Sequence, residues 1–155
     1  MAANPAYIDG LKLLARRELS EQQVRQRLAR KGHDPDQIDE AVERLRDERA
    51  IDDARVAESI ARTETSLKRR GKLRVRMQIE RAGIAKSVAK SAVDSVFEHL
   101  DDDALIETAL RKRLRSDGIA DQREFQRLFR YLTGQGFEPE RVLRLLRRFG
   151  TIDEQ

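Results

Sequence analysis

Two histidines and no cysteine limit the covalent and acid–base chemistry open to this 155-residue chain. His33 stands where Ile84 and Phe137 stand after two other glycines, so it reads as a packing or turn residue rather than a general base. His99 lies near the end of a helical pattern, where an imidazolium suits the dipole. Gly83, Ile84, Ala85, Lys86 and Ser87 lack the first glycine and the spacing of a P-loop. Asp101, Asp102 and Asp103 read as a helix N-cap with dipole-favoured acids rather than as metal ligands. No catalytic residue, metal ligand or cofactor is assigned, and a protein that is not an enzyme is expected. The absence of cysteine excludes disulfides and fits a cytoplasmic location. No stretch approaches the ~20 apolar residues of a membrane span. The N-terminus lacks the apolar centre of a signal peptide.

The chemistry that remains is ionic. Arginine outnumbers lysine 25 to 7, and guanidinium forks match phosphate and carboxylate geometry, although a GC-rich genome would give the same bias. Lys68, Arg69, Arg70, Lys72, Arg74 and Arg76 fall within nine residues with no acid among them. Solvated faces and helix C-termini account for Arg30, Lys31 and Arg113. They account less well for six uninterrupted cations. The cluster is expected at an exposed corner, as a contact surface for nucleic acid or an acidic protein face. Arg25, Arg111, Arg115, Arg144 and Arg148 join it as candidate contact residues. Base stacking is not the expected mode, because Tyr7 and Tyr131 are isolated and Phe137 and Phe149 read as core. Asp34, Asp36, Asp39, Glu40, Glu43, Asp47 and Glu48 line an acidic helix face. Alternating patches of both signs suit a protein partner with charged relief of its own.

The elements that must carry these residues are helical and repeated. Gly32, Gly83 and Gly136 lie 51 and 53 residues apart and are followed by similar text. Aligned on them, Val24, Val75 and Leu128 share a position, as do Leu28, Ile79 and Leu132, and Leu45, Val96 and Phe149. The expected architecture is all-α, with three tandem three-helix repeats over 6–50, 51–101 and 102–150 forming an elongated, curved array. In the first repeat helices are expected over 6–18, 20–31 and 35–48. Ser20 and Asp34 serve as N-caps and Gly32 as a C-terminal turn. Ile8, Leu11, Leu14 and Ala15 form the first apolar stripe. Val56, Ile60 and Leu67 form that of the fourth helix, and Gly118 ends the seventh. The last helix, 139–149, buries Val142, Leu145, Leu146 and Phe149 and turns Arg141, Arg144, Arg147 and Arg148 outward. Residues 1–5 and 151–155 are expected to fray. Gly71 and Gly118 are candidate hinges. A monomer is expected, because each terminal repeat can cap its own end. Helix, glycine turn, helix invites a helix-turn-helix reading. Carboxylates at the tips of two of the three second helices (Asp34 with Asp36, Glu138 with Glu140) oppose it.

Leu13 to Ser20, then Val24 to Leu28 with Lys31 and Gly32, resemble the first repeat of the RecX family. Ile51, Asp52, Asp53, Ala54, Arg55, Val56 and Ala57 resemble that family's junction "LDDxRFA". Arg70, Gly71 and Lys72 with Ile79, Gly83 and Ile84 are similar to its second repeat, and Gly136, Phe137, Val142 and Leu145 to its third. Val56 replaces a more usual Phe, and Leu73 stands where a Pro often follows the basic turn. The resemblance implies three tandem three-helix repeats and a non-enzymatic regulator of homologous recombination, DNA repair and the SOS response. Such a regulator lies in the groove of the RecA–DNA filament and inhibits filament extension, ATP hydrolysis, strand exchange and coprotease activity. Arg69, Arg70, Lys72, Arg74 and Arg76 would then make the central filament contact, with direct DNA contact left open. The alternative is a general nucleic-acid-binding helical repeat protein that coats DNA independently of RecA.

Overall fold

The computed structural model describes residues 3–150. Among the described residues there are nine α-helices and no strand. They are α1 (Pro5–Arg16), α2 (Glu21–Arg30), α3 (Pro35–Asp47), α4 (Asp53–Ser66), α5 (Lys72–Arg81), α6 (Lys86–Phe97), α7 (Asp102–Arg111), α8 (Gln122–Gly134) and α9 (Pro139–Phe149).

Local chemistry sets their ends. Ser20 caps α2 in a full capping box: its hydroxyl accepts from the Gln23 N–H, and the Gln23 side chain accepts from the Ser20 N–H. Asp34, Asp101 and Asp121 cap α3, α7 and α8 through their carboxylates. Gly32, Gly83 and Gly136 have φ of 87°, 81° and 99°, the left-handed region that a side chain disfavours. After α2 and α8, the two N–H groups that follow the cap return to the helix: Gly32 to Ala29, His33 to Leu28, Gly136 to Thr133 and Phe137 to Leu132.

The chain forms two compact units. One comprises residues through Ile60 with Gln78–Ala92, and the other comprises Ala61–Met77 with the chain from Val93 onward. In the first, α1, α2 and α3 pack together over Leu19, Val24, Leu28, Val42 and Leu45. In the second, α7, α8 and α9 pack over Ile106, Leu110, Leu128, Leu132 and Leu146.

Several expectations change. Asn4 and Pro5 do not fray: the Asn4 side chain accepts from the Ala6 N–H, and Pro5 opens α1. Met1, Ala2 and Thr151–Gln155 lie outside the described residues. The face of α1 is rotated from the expected stripe. Ile8 and Leu11 are exposed, whereas Ala6 and Gly10 are buried and Tyr7, Leu13 and Leu14 pack beside them. Gly10 decides this, because a Cβ there would stand 2.8 Å from Leu45 Cδ1 and hold α1 away from α3. Leu67 is 79% exposed, because α4 has already ended at Ser66. Gly118 does not end α7. That helix stops at Arg111, and the connection is tied down where the Ile119 N–H reaches the Phe149 carbonyl at 3.2 Å.

Candidate functional site

The basic corner begins where α4 unwinds. The N–H groups of Leu67 and Lys68 both return to the Thr63 carbonyl, and that of Arg70 returns to Glu64. Arg69 takes φ 55°, a left-handed conformation that costs a non-glycine residue on the order of 1–2 kcal/mol. Surrounding bonds over-determine it.

Gly71 follows, and it is buried. Its N–H donates to the Gln135 carbonyl at 2.8 Å, and the Leu73 N–H donates to Gly136 at 3.0 Å. A Cβ on Gly71 would stand 2.5 Å from the backbone of Gly136 and Phe137. The start of α5 is therefore docked, main chain to main chain, on the glycine turn between α8 and α9. A hinge was expected at Gly71, and a pinned seam stands there instead.

The six cations divide on this seam. Lys68 and Arg69 are exposed, whereas Arg70, Lys72, Arg74 and Arg76 are half-buried. Lys68 reaches the buried Glu64 at 2.9 Å. Lys72 pairs with Asp102 at 3.3 Å and lies 5.6 Å from the centre of the Phe97 ring. Arg74 donates to the Gly134 carbonyl at 3.0 Å, a cation at the negative end of α8. Arg70 buries Nε and Nη1 without a hydrogen-bond partner. The exposed corner expected for all six holds for two, because the glycine seam draws the others inward.

The remaining candidates are scattered. Arg25 belongs to the first compact unit and bonds Glu21 and Asp39 at 3.4 and 2.6 Å. Arg111 is held by Glu107 at 2.8 Å and lies 5.1 Å from the Phe149 ring centre. Arg115 is exposed and shares a surface hollow with Arg123, Arg127 and Arg130. Arg144 and Arg148 are exposed on α9.

The aromatic side chains taken as isolated are engaged. Arg113 lies 4.1 Å over Tyr131 and Arg44 3.7 Å over Tyr7. The Tyr7 hydroxyl donates to Glu48 at 2.6 Å, and that bond holds the Glu48 carboxyl below its ordinary value. His33 bonds Asp9 at 2.7 Å. This bond, aided by Lys31 and Lys12 and opposed by partial burial, holds Asp9 below the usual carboxylate range. The acidic run at the start of α7 is also spoken for: Asp101 accepts from the Ala104 N–H, while Asp102 and Asp103 pair with Lys72 and Arg141.

The sequence reading missed the platform under the corner, Gly134 to Gly136. A signal existed. Ser20 precedes Gly71 by the same 51 residues that separate Gly32 from Gly83. Ser20 is itself docked on the Gly83 turn, its hydroxyl donating to the Ala82 carbonyl.

Fold and corner together define an all-helical protein whose distinguishing surface is cationic and held in place by glycine turns. The profile of the first three-helix domain of RecX matches residues 6–45. The Regulatory protein RecX of Halorhodospira halophila is 35% identical over 144 residues, which cover 91% of this chain and 86% of that one. That of Chromohalobacter salexigens is 37% identical over 134 residues, 86% of each. The crystal structure of RecX from Lactobacillus salivarius superposes with a TM-score of 0.79 at 20% identity, covering 93% of this chain and 94% of that one. The chain belongs to the RecX family of regulatory proteins. No helix among the described residues is long and apolar enough to cross a membrane.

Proposed function

We propose that this chain is a non-enzymatic regulator that lies in the groove of the RecA–DNA filament and inhibits filament extension, ATP hydrolysis, strand exchange and coprotease activity. The carrying observation is the docked basic corner. Arg69 stands exposed, beside a Lys68 paired with Glu64, on a turn whose backbone is pinned, so its charge meets a partner with little backbone ordering cost. The RecX relatives support a regulatory role. In this reading the helices of the described residues form three tandem three-helix repeats, 6–50, 51–101 and 102–150, acting as a cytoplasmic monomer. Weak contacts from successive repeats then add through effective concentration.

Titrating the protein into preformed RecA filaments on single-stranded DNA tests this reading. ATP hydrolysis is expected to fall at substoichiometric protein. An unchanged rate with excess folded protein contradicts the proposal. A gel shift with naked DNA separates the alternative of DNA coating, which requires tight, salt-sensitive binding without RecA.

A further inference from the structure

Beside the corner, within the same compact unit, lies a groove of about 630 Å³. Val96, Leu100, Leu105 and Ala109 give it an aliphatic lining, and Leu100 is 38% exposed. Arg69, Lys112 and Arg113 stand on its edges together with Arg62 and Lys68, and no carboxylate side chain lines it among the described residues. Thr65, 7% exposed and also on the lining, buries a hydroxyl with no hydrogen-bond partner.

The other compact unit shows how the chain treats the matching place. There Arg55 bonds Glu18 and reaches the carbonyls of Arg49 and Ala50, strapping the end of α3 to α4. α7 starts 49 residues after α4, so Ala104 holds the position of Arg55. The 51-residue offset puts Arg69 at the position of Glu18. Both ends of the strap are replaced. The arginine is gone and the acid has become a cation, leaving an apolar lining under a positive rim.

We infer that this groove takes an acidic amphipathic helix of a partner protein. Leucine-like side chains spaced three and four apart would enter the lining, and flanking carboxylates would meet Arg69 and Lys112. Charge complementarity and the aliphatic lining choose this occupant over nucleic acid. Bases need ring faces to stack on, and the one aromatic on the lining, Tyr131, already has Arg113 4.1 Å over its ring. The inference goes beyond the filament reading and does not depend on it.

The test uses the full-length protein and a fluorescein-labelled helical peptide carrying three leucines at that spacing among glutamates. Fluorescence anisotropy is expected to show saturable binding. Replacing the peptide's leucines by serine is expected to weaken binding at least about tenfold, and Leu100→Ser or Lys112→Glu in the protein should do the same while helical circular dichroism is kept. Equal binding of the serine peptide, equal binding by both folded variants, or displacement of the probe by oligothymidine at matched charge overturns the inference. Filament ATPase assays on the same preparations keep the two proposals apart, since loss of peptide binding with inhibition intact leaves the filament reading standing.

Discussion

Two seams do the same structural work with different chemistry. In the first compact unit, Ser20 and Gln22 at the start of α2 meet Ala82 and Gly83. In the second, Gly71 to Arg74 at the start of α5 meet Gly134 to Gly136. The first seam is made by side chains: a hydroxyl reaches the turn, and Gln22 fills the space beside the glycine. The second is made by the main chain, because glycine replaces serine and lets the backbones touch. That closer approach brings Arg74 to the Gly134 carbonyl and leaves Lys68 and Arg69 outside. A glycine thus decides which cations are drawn onto the seam and which stay exposed.

The comparison breaks most readily at the glycines. Gly136 combines positive φ with the Arg74 N and Cα, which lie 2.5 and 2.9 Å from where a Cβ would stand. Gly136→Ala should cost about 3 kcal/mol, roughly a 10 °C fall in Tm. Gly83→Ala, facing the more yielding Gln22 side chain, should cost less. Gly32→Ala, with open space around it, should cost only the backbone term of about 1 kcal/mol. Urea midpoints should fall in that order, and equal losses at all three would show that backbone conformation alone matters.

Ser20→Ala comes next. It removes both the cap and the bond to Ala82 from a fully buried hydroxyl, and about 1–2 kcal/mol is expected. Because Gly71 already does without a side chain, Gly71→Ser is expected to destabilise rather than restore the first seam's chemistry. A neutral Gly71→Ser in thermal melts would mean that the second seam has slack.

The smallest effect is at acid pH. The His33 bond lowers Asp9, so its stabilisation is complete above the ordinary carboxylate value near 3.9 and is lost as pH falls through the lowered value. His33→Phe, the residue type at Phe137, should flatten the acid limb of stability against pH. An unchanged limb would remove this pair from the acid response.

Much of this was legible in the chain, and the exceptions have physical causes. Pro35 and Pro139 open helices where their fixed φ suits the first turn, and Gly32 makes the C-terminal turn expected of it, in a left-handed conformation that Gly83 and Gly136 share. The stripe of α9 is as read for Val142, Leu145 and Leu146, which are buried, whereas Phe149 is half-buried beside them. Leu67 misled because hydrophobic spacing does not reveal that a non-glycine residue, Arg69, will adopt positive φ. The face of α1 misled because small residues, Ala6 and Gly10, mark close approach where larger ones mark burial elsewhere. At the basic corner, composition found the charges. It did not find their partners, because Glu64, Asp102 and the Gly134 carbonyl meet them only through tertiary contacts.

The most direct measurement of the central claim is filament ATPase inhibition by the Arg69→Glu variant beside the unaltered protein, at matched helical circular dichroism. Arg69 is exposed and lies off the seam, and Lys68 is left in place to pair the buried Glu64, so the fold should persist while inhibition weakens at least about tenfold, as expected for a reversed charge at a contact. A folded variant that inhibits as well as the unaltered protein would contradict the assignment of the corner as the filament contact.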